Sequence, residues 1–305
     1  VVRSCPELCR FCLASYLTLP FRTPSLDDGL IPAVETGLAA TQRLGLLGAS
    51  VTQHPQFSEL LQWLDGDRFD GTRVSVSSVR AATVTPELGR ILAKRGSKSL
   101  TIAIESGSER LRQVVNKKLA GEEIFAAARY AKEGGLSGLK LYGMVGLPSE
   151  TEADVEATAE LLLALKKATP GLRLSLGVST FVPKAHTPFQ WQGVRPEAEK
   201  RLKLLAKRLK PKGIELRPES YGWSVIQALL SRSDRRLAPV LVAARGRHES
   251  LGGWKQAYRQ LEQDLPSWDS VVHGAWDAER PLPWGHLQGP LPPATLRQHH
   301  DQALA

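Results

Sequence analysis

Short β-like runs alternate with longer helical ones from the start of the chain to Pro183, and this alternation restricts the fold more than any other feature. "RLGLLGASV" (Arg43–Val51), "SLTIAIES" (Ser99–Ser106), "GLKLYGMVGLP" (Gly138–Pro148) and "LRLSLGVSTFVP" (Leu172–Pro183) read as buried strands. "TRVSVSSVR" (Thr72–Arg80) alternates with period two, and the opening "VVRSC" reads as the end of a strand already in progress. Between them "FSELLQWL", "TPELGRILAKRG", "AGEEIFAAARYAKEGG" and "SETEADVEATAELLLALKKA" carry helical signals. Thr85 and a Ser149–Glu152 capping box mark two helix starts; Gly96 and the Gly134–Gly135 pair mark two stops. Strands that each feed a helix demand parallel pairing through right-handed crossovers. Six such strands before Pro196 are fewer than a closed eightfold barrel needs. The expectation is an α/β fold, a partial (βα)6 TIM-like barrel, with ligands at the C-terminal ends of its strands.

The character changes at Pro196, which predicts a barrel over residues 1–195 and an α-rich extension over 196–305. "PEAEKRLKLLAKRLKPKG" is a basic amphipathic helix with Ala198, Leu202, Leu205 and Leu209 on one face. "SVIQALLSRSDRRLAPVLVAARG" is again helical, and the Pro- and Trp-rich end reads as an extended tail that wraps the domain. The chain opens on Val1 without a methionine, which suggests a processed, trimmed or fragmentary start.

Only three cysteines occur in 305 residues, and all lie in "SCPELCRFC": Cys5, Cys9 and Cys12. An odd, clustered set argues against a disulfide framework and for a metal or redox site in a reducing, cytoplasmic setting. No apolar run approaches the ~20 residues that span a bilayer. Forty basic against 31 acidic residues give a net charge of +9. That suits nucleic acid or another polyanion, or simply a basic surface with no such partner. C-x3-C-x2-C presents three soft ligands on one loop, and three readings compete. A structural zinc wants a fourth ligand. An inert buried cluster conflicts with the polar "PELCRF" around it. A [4Fe–4S] cluster held by three cysteines leaves one iron open for a substrate or cofactor.

C-x3-C-x2-C, with the aromatic Phe11 before the last cysteine and a strand before the loop, resembles the signature of the radical S-adenosylmethionine (radical SAM) enzymes. The resemblance implies a [4Fe–4S] cluster on Cys5, Cys9 and Cys12 whose open iron chelates S-adenosylmethionine. One electron, from a partner such as ferredoxin or flavodoxin, then yields methionine and a 5′-deoxyadenosyl radical that abstracts hydrogen from a substrate. It further implies cofactor contacts at Gly48, Ala49 and Ser50, at Ser78 and Arg80, at Glu105 and Ser106, and at Gly143, Val145 and Gly146. Arg80 would pair with a carboxylate, and His186 would face the mouth; Ser108, Glu109, Glu150 and Thr151 would belong to helix starts. "GLLGASVTQHP", "ESGSERLRQVVNK", "LKLYGMVGLPSET" and "FVPKAHTPFQW" look like one branch. It comprises iron–sulfur oxidoreductases that often carry a cobalamin-binding domain before the barrel, and it lies near the methylthiotransferases. Cobalamin is thus a further cofactor by resemblance. Three functions follow: a radical SAM oxidoreductase or transferase of open substrate, an RNA or protein methylthiotransferase or methyltransferase, and a non-catalytic iron–sulfur electron carrier or scaffold.

Overall fold

The computed structural model of the chain describes residues 1–77, 79–246 and 250–305. Six parallel strands carry the fold: β1 (Arg43–Leu46), β2 (Arg73–Val76), β3 (Ser99–Glu105), β4 (Gly138–Val145), β5 (Arg173–Thr180) and β6 (Glu215–Pro218). β1 pairs with β2, and β3 to β6 form a second sheet in chain order. A parallel bridge between Val79 and Ile102 links the two sheets. Helices cover one face: α3 (Phe57–Asp65), α4 (Pro86–Lys94), α5 (Glu109–Val114), α6 (Gly121–Glu133), α7 (Glu152–Ala168) and α8 (Ala198–Leu209) lie between successive strands, after the short α1 (Leu13–Tyr16) and α2 (Ile31–Leu38). This is a partial α/β barrel of the expected kind.

Period-two side-chain alternation decides the two faces. Leu139, Leu141 and Val145 of β4 enter the core with Leu174, Leu176 and Leu216 of its neighbours, while Lys140 and Tyr142 stay exposed on the opposite, concave face. Helix signals behave similarly. The Thr85 hydroxyl accepts the Leu88 N–H at 3.1 Å and starts α4, which stops before Gly96 at φ +75°.

Two expectations, the opening strand as one of the six and the start of α7, are corrected. Val1–Cys5 is not a strand of the sheet. The Val1 amine donates to the Leu47 carbonyl at 2.9 Å, and Arg3 bridges antiparallel to Arg22, so the segment lies at the end of β1 without a ladder. The sixth strand is instead β6, beyond Pro196. Helix α7 is capped by Thr151 rather than Ser149: the Thr151 N–H donates to Asp154 at 2.8 Å, and Ser149 sits at φ +56°. Across the division expected at Pro196, Ala198, Leu202, Leu205 and Leu209 of α8 bury into the barrel's core and β6 pairs with β5. We propose to draw it after Pro218.

Beyond β6, α9 (Tyr221–Arg232), α10 (Ala238–Ala244), α11 (Leu251–Arg259) and α12 (Trp268–Val272) enclose a second apolar cluster that includes Val225, Leu229, Val240 and Val272. The Trp-rich segment then runs back, placing Trp276 and Trp284 beside Tyr16 and Trp191. It ends in α13 (Pro293–Leu304), so the expected tail does wrap the molecule but closes as a helix. No helix among the described residues is long and apolar enough to cross a membrane.

Candidate functional site

Cys5, Cys9 and Cys12 are all free, Cys9 buried and the other two half-buried. The Cys12 N–H donates to the Cys9 carbonyl at 2.9 Å, and α1 begins at once. Other side chains hold the loop. Asn116, just past α5, donates through Nδ2 to the carbonyls of Glu7 (3.2 Å) and Leu8 (2.8 Å). The Arg10 N–H bonds to the Val115 carbonyl at 3.0 Å, and its guanidinium reaches the carbonyls of Gln113 (3.0 Å) and Val114 (2.8 Å) at the end of α5. That places a cation at the negative end of a helix. Ser4 donates to the Ala14 carbonyl at 3.0 Å and Tyr16 to that of Leu8 at 3.2 Å. Several left-handed non-glycine residues gather here: Ser4 (φ +68°), Leu8 (+54°), Asn116 (+54°) and Glu105 (+62°) at the end of β3. Such backbone persists only where its surroundings enforce it.

The donor set fits an iron–sulfur cluster. A cluster takes each thiolate on its own iron. Burial, followed by the nearby Glu105 and the other two thiols against an opposing Lys117, pushes the Cys9 thiol up to about 12.

Two ion pairs stand beside the thiols. Lys117 Nζ meets Glu105 Oε1 at 2.9 Å. Burial works against the Lys117 charge, but Glu105 and Cys9 outweigh it and raise its pKa. Arg80 was expected to serve a ligand carboxylate; it holds the chain's own Glu7, from inside the cysteine loop, at 2.8 Å, and donates to the Lys118 carbonyl. Glu7 also accepts from Gln53 at 2.5 Å, and Gln53 accepts from Ser50. Ser50, Arg80 and Glu7 therefore form one network at the strand ends.

The other expected contacts are more engaged in packing. A Cβ on Gly48 would come within 2.9 Å of Val2, so glycine lets the opening segment lie against β1; Ala49 beside it is exposed. Ser78 lies outside the described residues. Ser106 accepts from the Ser108 N–H at 3.1 Å and faces Thr158 of α7 at 3.4 Å, which fixes the turn into α5. Ser108 caps α5, as expected. Gly143 lies under the Glu105 carbonyl, where a Cβ would meet oxygen at 3.1 Å. Val145 points into the core and its carbonyl accepts from Phe181 at 2.8 Å. The Gly146 N–H donates to Glu150 at 2.6 Å. Burial raises the Glu150 carboxyl to about 7, although Gly146 and Arg201, at 2.7 Å, oppose it. Phe11 packs with Leu111, Leu147 and Phe181. His186, at φ +56°, lines a cavity of about 780 Å³ with Trp191 of its own loop and Trp284 and Arg297 of the C-terminal region.

Sequence reasoning missed Glu7, Gln53, Asn116 and Lys117. Glu7 was visible between the first two cysteines, and "VVNKK" directly follows α5, but nothing local says which distant loop an asparagine will grip.

A partial parallel barrel with a clamped three-thiol loop at its strand ends defines a class: iron–sulfur proteins that bind their ligands over the sheet. The model of the radical SAM superfamily matches residues 1–162, more than half of the chain, and the chain belongs to that superfamily. Membership implies an enzyme with a [4Fe–4S] cluster and S-adenosylmethionine, and members generally need a reductant. An uncharacterised protein of Methanocaldococcus jannaschii is 36% identical over 241 residues, covering 78% of this chain and 52% of its own length. The chain thus spans about half the length of the curated relative it matches. In fold it is similar to the radical S-adenosylmethionine methyltransferase TsrM of Kitasatospora setae, solved with cobalamin and a [4Fe–4S] cluster. There the TM-score is 0.55 and identity 13%, over 86% of this chain and 60% of that one. For coproporphyrinogen III oxidase of Escherichia coli the values are 0.47 and 20%, over 68% and 51%. At 13% identity the likeness to the methyltransferase shows fold alone.

Proposed function

We propose that the protein uses Cys5, Cys9 and Cys12 to hold a [4Fe–4S] cluster and cleaves S-adenosylmethionine against a substrate seated on the concave face of the sheet. One observation carries this reading: three free thiols on a loop whose backbone Asn116, Arg10 and Ser4 fix without help from the thiols. Held by Cys5, Cys9 and Cys12, the cluster would supply the one-electron reducing chemistry that turns S-adenosylmethionine into a hydrogen-abstracting reagent. The chain's part is to bind and orient. Arg80 exchanges Glu7 for the cofactor carboxylate, with Gly48, Ala49 and Ser50 serving the same end of the cofactor; Ser78 is proposed there from the sequence resemblance alone. Glu105 and Ser106 serve the ribose side, and Phe11, Val145 and Gly146 the adenine side. The likeness to a cobalamin-bound methyltransferase, and the greater length of the relative, support cobalamin as a second cofactor and methylation or sulfur insertion as the outcome. A ferredoxin or flavodoxin is the proposed electron donor and the cytoplasm the proposed setting.

The net charge of +9 favours, as a second reading, an RNA-modifying methylthiotransferase. Tight tRNA binding that weakens steeply with salt would support it.

The test is anaerobic. The protein is reconstituted with iron and sulfide, reduced and given S-adenosylmethionine, and 5′-deoxyadenosine is sought by mass spectrometry. Its release above a no-protein control is expected. Cys5→Ala, Cys9→Ala and Cys12→Ala should each lose bound iron and release none, because the chain has no spare cysteine. An intact cluster with neither binding nor cleavage of S-adenosylmethionine would leave a cluster carrier or scaffold instead.

A further inference from the structure

The segment "SRSDRRLAPVL" has no part in the cysteine site, yet it lines a cavity of its own. About 750 Å³ opens between the end of α9, the turn at Arg235–Leu237 and residues 276–286. Arg232 and Arg280 both lie over the indole of Trp276, their guanidinium carbons 3.9 and 4.4 Å from its centroid. Arg232 is 1% exposed, and its Nε is buried with no hydrogen-bond partner among the described residues. Its other nitrogens reach the carbonyls of Val271 (2.7 Å), Val272 (3.2 Å) and Gly274 (2.8 Å) at the end of α12. Those oxygens carry only partial charge. Burial, and after it the charge of Arg280, pushes Arg232 down to about 10.

Asp234 also lines the cavity, but Arg236 occupies it from Nε (3.0 Å) and Nη2 (2.7 Å). Among the described residues no carboxylate pairs with Arg232, Arg235 or Arg280. A clasp between α9 and α12 accounts for Arg232. It does not account for Arg235 and Arg280, two exposed arginines brought to the same hollow with no ion pair of their own among the described residues; Asp234, next to Arg235, is engaged by Arg236. Arg235 and Arg280 are exposed and Arg232 is the desolvated cation, so an anion drawn into the hollow by the outer two would offset the cost of burying the third.

We propose that this cavity binds a small phosphate-bearing ligand, its phosphate held by Arg235 and Arg280 with Arg232 fixed behind them. A phosphate monoester brings nearly two charges and three acceptor oxygens, which suits several guanidiniums better than one carboxylate does. The wall formed by Tyr258, Leu265, Pro266 and Leu282 gives an organic body an apolar surface. The volume lies within the range of small-molecule sites, roughly 300–1,000 Å³. A polynucleotide would instead call for a basic track along the surface, and these arginines converge on one hollow.

The test uses the intact protein, prepared anaerobically with its cluster, titrated by calorimetry with inorganic phosphate and with AMP at physiological ionic strength. Binding with a Kd below roughly 1 mM is expected. A tighter AMP complex points to an ester whose body fills the apolar wall; phosphate alone points to the free anion. Arg235→Ala and Arg280→Ala should each weaken binding about tenfold, while Arg129→Ala, an exposed arginine on α6, leaves it unchanged. Both cavity sites are exposed, so circular dichroism and iron content should match the unmodified chain. Arg232 is left in place because its loss would unclasp α9. Absence of binding by either probe, or binding indifferent to the double variant Arg235→Ala with Arg280→Ala, overturns the proposal. So does salt-sensitive binding of a short single-stranded RNA that the double variant loses and AMP does not compete, which would make this a nucleic-acid surface.

Discussion

Asn116 shows how much of the site rests on one side chain. It sits at φ +54°, a conformation that asparagine tolerates better than most residues, and its amide grips two carbonyls of the cysteine loop. Asn116→Ala removes both bonds and adds left-handed strain, for a loss of about 2–3 kcal/mol. Asn116→Gly relieves the strain and still lacks the bonds, so its loss should be smaller while its cluster content falls equally. Urea unfolding of the apoprotein and iron analysis after reconstitution measure the two effects separately. An alanine variant with full stability and full iron would mean that the loop is held by Arg10 and Ser4 alone.

At the scale of elements, helix packing is set by two glycines. A Cβ on Gly89 of α4 would meet the Tyr130 carbonyl oxygen of α6 at 2.7 Å, and one on Gly134 would meet the Gly89 backbone at 2.4 Å. Backbone cannot rotate away as a side chain can. Gly134→Ala should therefore force α4 and α6 apart and cost roughly 1–3 kcal/mol, read as a drop in urea midpoint at constant slope. Gly37→Ala in α2, where nothing lies within 4 Å, should not destabilise the chain. An unchanged midpoint for Gly134→Ala would show that the helices do not touch there. The same elements show what the sequence revealed. The central strands were legible because Leu139, Leu141 and Val145 alternate with Lys140 and Tyr142, a pattern that burial on one face imposes. β6 was not legible: Leu216 is its one buried residue, between exposed Glu215 and Arg217, and Pro218 follows. The thiols were legible because three soft ligands at that spacing have few uses. Their supports were not, because Asn116 reaches back 108 and 109 positions and Gly146 answers to Glu150 and Arg201. Those partnerships exist only once the barrel has closed.

Across the whole molecule, the end of the chain seals its beginning. Tyr16, directly after the cysteines, hydrogen-bonds His299 of α13 at 2.8 Å and is 1% exposed. His300 meets Gln192 at 2.9 Å and the edge of Trp191, and Ala303 packs into the cluster that contains Phe11. Oxygen and water reach a metal cluster most readily where its protein cover is thin. α13 is cover that an opened or displaced C-terminus would remove. Ala303→Asp places a carboxylate among Leu111, Phe181 and Phe189 with no partner provided, a change that costs several kcal/mol in a closed core and is met most easily by undocking the helix. Faster amide exchange over residues 293–304 should then accompany several-fold faster bleaching of the reconstituted cluster in air. Gln302→Asp, on the exposed side of the same helix, should change neither rate. If Ala303→Asp frees the helix and the cluster bleaches no faster, α13 is a brace for the tryptophan-rich segment and the cysteine loop shields its metal alone.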